Sequence, residues 1–498
     1  MENCRRRFSR TCRRTLKVIH VRLPRVVRDG RRAGEGQRAI MRSRIVYEIG
    51  RRALGCAAAG LAALGAARGE SGGNAGDWPR FLGPSLDGHA PDSGLAHART
   101  GAVVRAAVRW RAPLAAGYGG PAISGGEVFI LDEPGSGKMA LRCLDLAAGR
   151  ELWRFEYAAQ GKVAPPGPRS TPTVTADRIY IVDQSGIAQG VDRRARAGIW
   201  KRDLLEGFGA SNLFWGVSHS PLLHEGRLIV APQGERAGLA ALDPESGRDI
   251  WRSPKLPSMN VAGYCGSYVT PAIARLGGEN QAIVVTASVG DADGAIAIKG
   301  CVAGISLADG AVRWTYEGWQ CPIPIATPTL LPGDRVFVTA AYKAGSALIR
   351  VLRRDGQWSV EELFRTKECG SQIQQALFHR DHIFAVSNGK ERKEGLMCLG
   401  LDGNVKWHTT NSEFCSKAKP GLPNLGVGNA ILVGDRLLIM NGDEGRLHVV
   451  AADPEGFREL ARTEAFLEGK ELYSPMAVSG NLVLARDQKQ LVCVELAP

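Results

Sequence analysis

Short apolar runs recur along the chain with turn residues between them, and their spacing is the first thing to read. They are EVFILD from Glu127, RIYIVD from Arg178, RLIVAP from Arg227, QAIVVTAS from Gln281, RVFVTAA from Arg335, HIFAVS from His382, RLLIMN from Arg436 and NLVLARD from Asn481. Val, Ile, Leu and Phe fill them, Gly, Asp and Pro punctuate them, and no helical period of useful length runs through them. Each run therefore predicts a short buried strand. A shorter strand opens each unit, often behind Ser-Pro or Thr-Pro: GGPAI at Gly119, STPTV at Ser170, HSPLL at His219, VTPAI at Val269, ATPTL at Ala326 and SPMAV at Ser474. Two further copies, at Gln375-Ala376 and Asn429-Ala430, lack the proline. Proline suits the first residue of a strand, where its missing N–H costs no ladder bond.

A third strand follows in each unit, as in ALRCLD from Ala140, GLAALD from Gly238, LMCLGL from Leu396 and LVCVEL from Leu491. A tight turn and a Trp-bearing strand complete the phrase. Residues 242–251, LDPESGRDIW, and 144–153, LDLAAGRELW, share every offset: Asp243, Gly247 and Trp251 beside Asp145, Gly149 and Trp153. Gly310 to Trp314 and Gly403 to Trp407 keep the Gly-to-Trp offset of four, while Gly198 to Trp200 and Gly356 to Trp358 contract it to two. From Pro121 to Pro475 the seven intervals average about 51 residues, a period that marks a repeat architecture.

Eight openings are present, yet the last unit stops after its third strand, and Val108-Arg109-Trp110-Arg111 stands before the first opening without strands of its own. Pairing that strand with the C-terminal unit completes both and leaves no open sheet edge. The expectation is an all-β fold, an eight-bladed β-propeller of four-stranded antiparallel blades over residues 108–498, closed by pairing about 108–112 with the last blade. Trp110, Trp153, Trp200, Trp251, Trp314, Trp358 and Trp407 are expected to dock blade against blade, since a flat ring on an outer strand buries much area. Trp78, Trp215 and Trp319 fall outside that pattern.

At these residues a resemblance can be named. The A/L-x-D-x-x-T/S-G-x-x-x-W phrase resembles the tryptophan-docking motif of the pyrroloquinoline quinone (PQQ) repeat propellers, the quinoprotein alcohol dehydrogenase-like proteins. The stretch from Asp77, DWPRFLGPSLDGHAPDSGL, resembles the start of secreted bacterial members of that group. The resemblance spans about residues 77–498 and implies the fold more firmly than any chemistry.

Charge changes the picture only at the N-terminus. The chain has 498 residues and a net charge of +14, but residues 1–70 hold 18 Lys/Arg against 5 Asp/Glu, which leaves the remainder close to neutral. A folded body without a basic stripe argues against nucleic acid as a partner. After an Arg-rich opening, a basic segment from Met41 leads through Arg51-Arg52 into an apolar run, residues 53–67, that ends in small residues. That is the layout of a signal peptide, too short to span a membrane comfortably. Residues 1–70 are expected to be leader, with Met41 a candidate start, and 71–107 a Gly/Pro-rich lead-in segment. The mature chain is expected to be an exported bacterial monomer, periplasmic or extracellular. The paired arginines leave twin-arginine export open beside the general route. None of the 11 cysteines forms CxxC, CxxCH or an adjacent pair, so zinc, c-type haem and redox-dithiol spacings are absent, and buried thiols with a disulfide or two are expected.

In an up-and-down blade, the loops before strand one and after strand two emerge on one face, so two loop sets line one mouth of the channel. The first set offers Tyr118, Arg169, Trp215, His219, Tyr264, Gln320, Gln374, Asn424 and Tyr473; the second offers Asp132, Asp183, Gln233, Asp291, Lys343, Asn388, Asp443 and Asp487. Arg169, Trp215, His219, Tyr264, Lys343, Gln374 and Tyr473 are the candidates for holding a ligand or cofactor, and Asp183, Asp291 and Asp487 the candidates for a metal. Each carboxylate is more often a solvated loop residue, and His219 more readily a hydrogen-bonded channel histidine; an unrelated hydrolase or lyase site at the same mouth also stays open. The resemblance implies two competing activities. One is a non-catalytic scaffold presenting the mouth to a protein, peptide or glycan. The other is a PQQ- and calcium-dependent oxidoreductase acting on an alcohol or sugar, which needs an oxygen cage for calcium and a carboxylate base. The adjacent cysteines of that family's quinone sandwich are missing here, and no Ser-His-Asp elbow is present.

Overall fold

The strand signals become strands for a reason visible in their burial. The second strand of a blade is flanked by neighbouring blades on both faces, and Glu127–Gly135 is correspondingly buried over five consecutive residues. The outer strand has one covered face, and Glu151–Ala158 alternates accordingly. The computed structural model describes residues 76–90, 102–103, 106–135, 137–161, 163–260, 266–290, 295–387, 395–409, 425, 428–468 and 472–496.

These residues form a ring of eight antiparallel blades, with strand one innermost and strand four outermost. Blade one is Ala122–Ser124, Glu127–Gly135, Lys138–Asp145 and Glu151–Ala158, and blades two to seven repeat that order. Blade eight takes Ala477–Ser479, Leu482–Arg486 and Gln490–Leu496 from the C-terminus and its outer strand, Ala106–Pro113, from the front of the chain. Strand pairing through Ala106 to Leu496 and Pro113 to Gln490 closes the ring.

A bulge recurs at one place in every blade, between strands three and four. In blade one Cys143 faces Trp153 and Leu144 faces Glu151, so Leu152 is skipped; in blade three Ala241 faces Trp251 and Leu242 faces Asp249, so Ile250 is skipped. A bulge re-aims the side chain beside it. Here it turns the tryptophan toward the next blade and leaves the skipped residue exposed, as Leu152, Ile199 and Ile250 are. Trp110, Trp200, Trp251 and Trp407 each donate their indole N–H to a carbonyl of the following blade: Leu146, Pro244, Leu307 and Asp453, at 2.8, 2.8, 3.0 and 2.9 Å. The turn glycine of the receiving blade sits under the ring. At Gly149, whose φ is +69°, a Cβ would overlap the Trp110 indole. Trp153 packs edge-on to Phe129 in its own blade, and Trp314 donates to Gln281 of its own blade at 2.8 Å.

Blade five differs. The bulge position there belongs to Phe364, opposite Leu348, and it is Phe364 that covers Gly403 of blade six. Trp358 lies near the tip of the same hairpin, opposite Arg353, and rests on Gly277 of the preceding blade. In blade seven Ala461 occupies the position.

The inner strands are tied by the residues that open them. Thr171 N–H donates to the Ser220 hydroxyl (3.0 Å), Ser220 N–H to the Thr270 hydroxyl (2.9 Å), and the Thr327 hydroxyl to the Thr270 carbonyl (2.9 Å). Where the Thr-Pro phrase is missing, amides substitute: Gln374 donates to the Ala430 carbonyl and Asn429 to the Ser474 carbonyl, at 2.9 and 2.6 Å. Hydroxyls and carboxamides both satisfy backbone groups that would otherwise be buried unpaired.

The lead-in segment crosses one end of the channel. Trp78 exchanges backbone hydrogen bonds with Ile123, Val174 N–H donates to the Pro79 carbonyl, Arg80 donates to the Leu223 carbonyl, and Leu432 N–H donates to the Gly88 carbonyl. His89–Ala90 then pairs parallel to the inner strand of blade seven, and Ala102–Val103 parallel to its outer strand. Every contacted inner-strand residue lies at the far end of its strand from the opening loops. This segment is therefore the floor of the channel, and Trp78 in it is 3% exposed. Residues 1–70 of the expected leader lie outside the described residues. Cys143, Cys301, Cys398 and Cys493 are buried. Among the described residues no helix is long and apolar enough to cross a membrane.

Candidate functional site at the channel mouth

Floor and inner strands enclose a cavity of about 500 Å³ that opens at the other end of the channel. The size is that of a pocket for one small organic ligand. Its floor is Trp78, Phe81 and Leu82; its wall includes Ser220, Thr270, Gln375, Asn429 and Met476. At the mouth stand Tyr118, Arg169, Trp215, Tyr268, Tyr342, Gln372 and Tyr473.

Strand geometry explains which loop residues reach it. Side chains alternate along an extended segment, and the positions one and three before the strand-opening proline are the ones turned inward. Tyr118, Arg169, Ser218, Tyr268, Ile325 and Ile373 all hold the position three before, and all line the cavity. His219 is two before Pro221 and points the other way. It is 3% exposed, and its Nε2 accepts the Ala231 N–H at 3.2 Å inside the blade. Burial lowers its pKa to about 4, so it is a neutral acceptor at pH 7. Gln374 and Tyr473, also at the position two before, do reach the cavity.

The mouth is assembled by aromatic contacts. Tyr118 and Tyr473, from blades one and eight, stack with ring centroids 6.1 Å apart, and the Arg169 guanidinium lies 5.4 Å from the Tyr118 centroid. Trp215 meets Tyr268 edge-on at 5.3 Å. Arg169 donates to the Gly167 carbonyl and, at 2.5 Å, to the Pro165 carbonyl. No carboxylate of the described residues lies within ion-pair distance of it, and burial pushes it down to about 10. Gln374 and Gln375, each 5% exposed, line the wall, and their side-chain carbonyl oxygens are fully buried with no hydrogen-bond partner among the described residues.

The remaining expected site residues are placed as follows. Lys343 is in a left-handed conformation (φ +63°) and does not line the cavity. Asp183 is 1% exposed and folds back on its own turn, accepting from the Ser185 and Ile187 N–H groups at 2.9 and 3.1 Å. Burial raises its pKa to about 6. Asp487 caps its turn likewise, from Lys489 and Gln490 at 2.8 and 3.0 Å. Tyr264 and Asp291 lie outside the described residues. Tyr268, Tyr342, Gln372 and Gln375 are mouth or wall residues that the sequence reading did not single out; for Tyr268 the signal was available, three residues before Pro271.

The donor set can be compared with what a calcium-bound quinone requires. Among the described lining residues there is one guanidinium and no carboxylate, and no three His, Cys, Asp or Glu side chains of the described residues converge. A tricarboxylated quinone and a calcium ion call for several cations, an anionic oxygen cage and a carboxylate base. The described residues do not fit that group.

An eight-membered ring of four-stranded blades, with turn glycines seated under outer-strand tryptophans around a central cavity, is an eight-bladed β-propeller and is consistent with the PQQ-like kind. The sequence profile of a PQQ-repeat family described as outer membrane protein assembly factor BamB matches residues 96–259 and again 199–320. No curated protein matches the sequence. Among solved structures, the quinohemoprotein alcohol dehydrogenase from Comamonas testosteroni is similar at 10% identity, covering 84% of this chain and 80% of its own, with a TM-score of 0.56. A europium-containing methanol dehydrogenase is similar at 13% identity, covering 84% and 90%, with a TM-score of 0.51. BamB from Moraxella catarrhalis aligns at 15% identity over 78% of this chain and all of its own, with a TM-score of 0.49. At such identities the likeness is one of fold.

Proposed function

We propose that this chain is an exported, non-catalytic propeller that binds a partner or ligand through the mouth of its central channel. The observation that carries this reading is the cavity itself: about 500 Å³, blind at one end, and lined among the described residues by aromatics, carboxamides and a single guanidinium without a carboxylate. Such a lining recognises; it offers no acid–base pair. The basic leader followed by an apolar run supports export, and the match to a family described as an outer membrane protein assembly factor supports a role outside the cytoplasm in contact with other molecules.

The test is a titration of the purified protein with PQQ, with and without calcium, following fluorescence and thermal stability. A ligand that binds only the native state raises apparent stability. No stabilisation at either calcium level is expected. Saturable binding followed by dye-linked oxidation of an alcohol would overturn the reading in favour of a quinoprotein dehydrogenase.

A further inference from the structure

We propose that the lead-in segment is an acid-released latch: hinged on blades one to three, it is freed from blades six and seven when His379 takes up a proton. The inference concerns the floor and stands independently of what the mouth binds.

The two ends of the segment are fastened differently. At its start, Trp78 exchanges two main-chain hydrogen bonds with Ile123 of blade one, at 2.9 and 2.8 Å. The Pro79 carbonyl accepts the Val174 N–H of blade two at 2.8 Å, and Arg80 reaches the Leu223 carbonyl of blade three at 3.0 Å. At its far end, the Gly88 carbonyl accepts the Leu432 N–H at 3.0 Å, and His89–Ala90 makes a two-residue parallel pairing with blade seven. Gly88 also lies on blade six, where a Cβ would stand 3.0 Å from the Leu377 side chain. A short pairing at the end of a segment is where local opening costs least.

Each end lies beside a histidine. His224 of blade three and His379 of blade six hold the same place, the last residue of strand one, opposite Arg227 and His382 across the turn. In both, Nε2 is buried without a hydrogen-bond partner among the described residues. Both nitrogens of an imidazolium are donors, so protonation would bury an N–H, and a charge, without an acceptor. The surroundings separate the two residues. His224 has the Glu225 carboxylate 3.8 Å from its Nε2, a counter-ion for a protonated ring. His379 meets Arg380 on its own turn, His382 across it, His89 from the lead-in segment and Asp435 from blade seven. Burial first, then Arg380 and His89, holds its pKa below the usual imidazole value, with Asp435 opposing. Asp87 is engaged by His89 instead: it accepts the His89 N–H at 2.9 Å and lies 3.7 Å from Nδ1 of that ring.

A pKa depressed in the closed arrangement favours that arrangement in full above the ordinary imidazole value, and the preference is lost as pH falls below it. One of the depressing cations, His89, is carried by the segment itself, and water reaches the buried nitrogen once the segment lifts. Protonation therefore pulls toward the lifted state at blades six and seven. The main-chain bonds at blades one and two contain no titrating group and hold.

The experiment is amide hydrogen exchange of the full chain at pH 7.5, 6.5 and 5.5, with each rate corrected for the intrinsic pH dependence of exchange. The Leu432 amide, which reports the far end, is expected to lose at least about threefold in protection across that range. The Trp78 and Val174 amides, at the hinge, should hold within about a factor of two. His379→Gln should flatten the Leu432 response, Arg380→Gln at an exposed turn should reduce it, and His224→Gln should leave it as in the wild type. A thermal melt of each variant shows whether it is folded. Unchanged Leu432 protection from pH 7.5 to 5.5 would overturn the latch. Equal losses at all three amides would replace it with a general loosening of the ring, and a full response in His379→Gln would remove His379 from it.

Discussion

The two ends of the central channel are built in opposite ways. The floor is made largely of main chain: the lead-in segment hydrogen-bonds to the inner strands of blades one, two, three and seven, and Trp78 within it is 3% exposed. The mouth is made of side chains, among them Tyr118, Arg169, Trp215, Tyr268 and Tyr473, with Arg169 held by the Gly167 and Pro165 carbonyls of its own loop. Stability and recognition are thus assigned to opposite faces of one ring, and substitutions at each face should separate accordingly.

The largest effect should come from breaking the floor. Trp78→Ala removes a buried indole that the Gly83 backbone packs against, and a loss of about 3–5 kcal/mol is expected in urea unfolding. A loss below ~1 kcal/mol would mean that the floor is a detachable lid. The mouth-side blades should show a smaller, pH-dependent effect. His219 has its pKa lowered to about 4 by burial, so its contribution is whole above the unfolded value near 6.5 and is lost as pH falls toward 4. Asp183, raised to about 6 by burial, behaves oppositely: its contribution is whole below about 3.8 and is lost as pH rises through 6. Each window is worth roughly 2–3 kcal/mol, and the two offset one another in the native protein. Thermal melts from pH 4 to 7 should show His219→Gln growing less stable with rising pH and Asp183→Asn growing more stable. Parallel curves for both variants would sink this assignment. The smallest effect on stability belongs to the rim. Tyr473→Ala, at a half-buried position stacked on Tyr118, should cost less than ~1 kcal/mol in the same unfolding assay. A stability loss as large as that of Trp78→Ala would erase the distinction between the two ends.

Much of this division was legible in the sequence, and its limits are physical. Turn and tryptophan stand at fixed short offsets, so the outer seam could be read wherever the hairpin is short. In blade five the hairpin runs through Gly345–Arg354 and Gln357–Thr366, and no fixed offset survives that length. Trp358 carried the composition of the motif, while Phe364 took its place at the bulge. At the mouth, Tyr118, Arg169, Trp215, Gln374 and Tyr473 were readable because the Ser/Thr-Pro phrase marks where strand one begins. Asp183 and Asp487 accept from backbone N–H groups of their own turns, a local contact that sequence spacing alone does not separate from a loop carboxylate facing the mouth. His219 turns into its own blade, where its Nε2 accepts the Ala231 N–H, whereas Gln374 and Tyr473 at the same position line the cavity. The floor was expected only as a Gly/Pro-rich lead-in segment, since its partners come from four blades distant in sequence.

Ring closure has a further consequence in time. The outer strand of blade eight is synthesised before any other blade and pairs with residues 377 to 390 positions later in the chain. Until the final strand emerges, Ala106–Pro113 has a free ladder edge and no partner, and the lead-in segment has no complete ring to lie across. Contacts of such sequence separation make folding slow, because the loop must be closed before the contacts repay it. The ring is thus complete only once the seven-residue strand Gln490–Leu496 has paired with Ala106–Pro113.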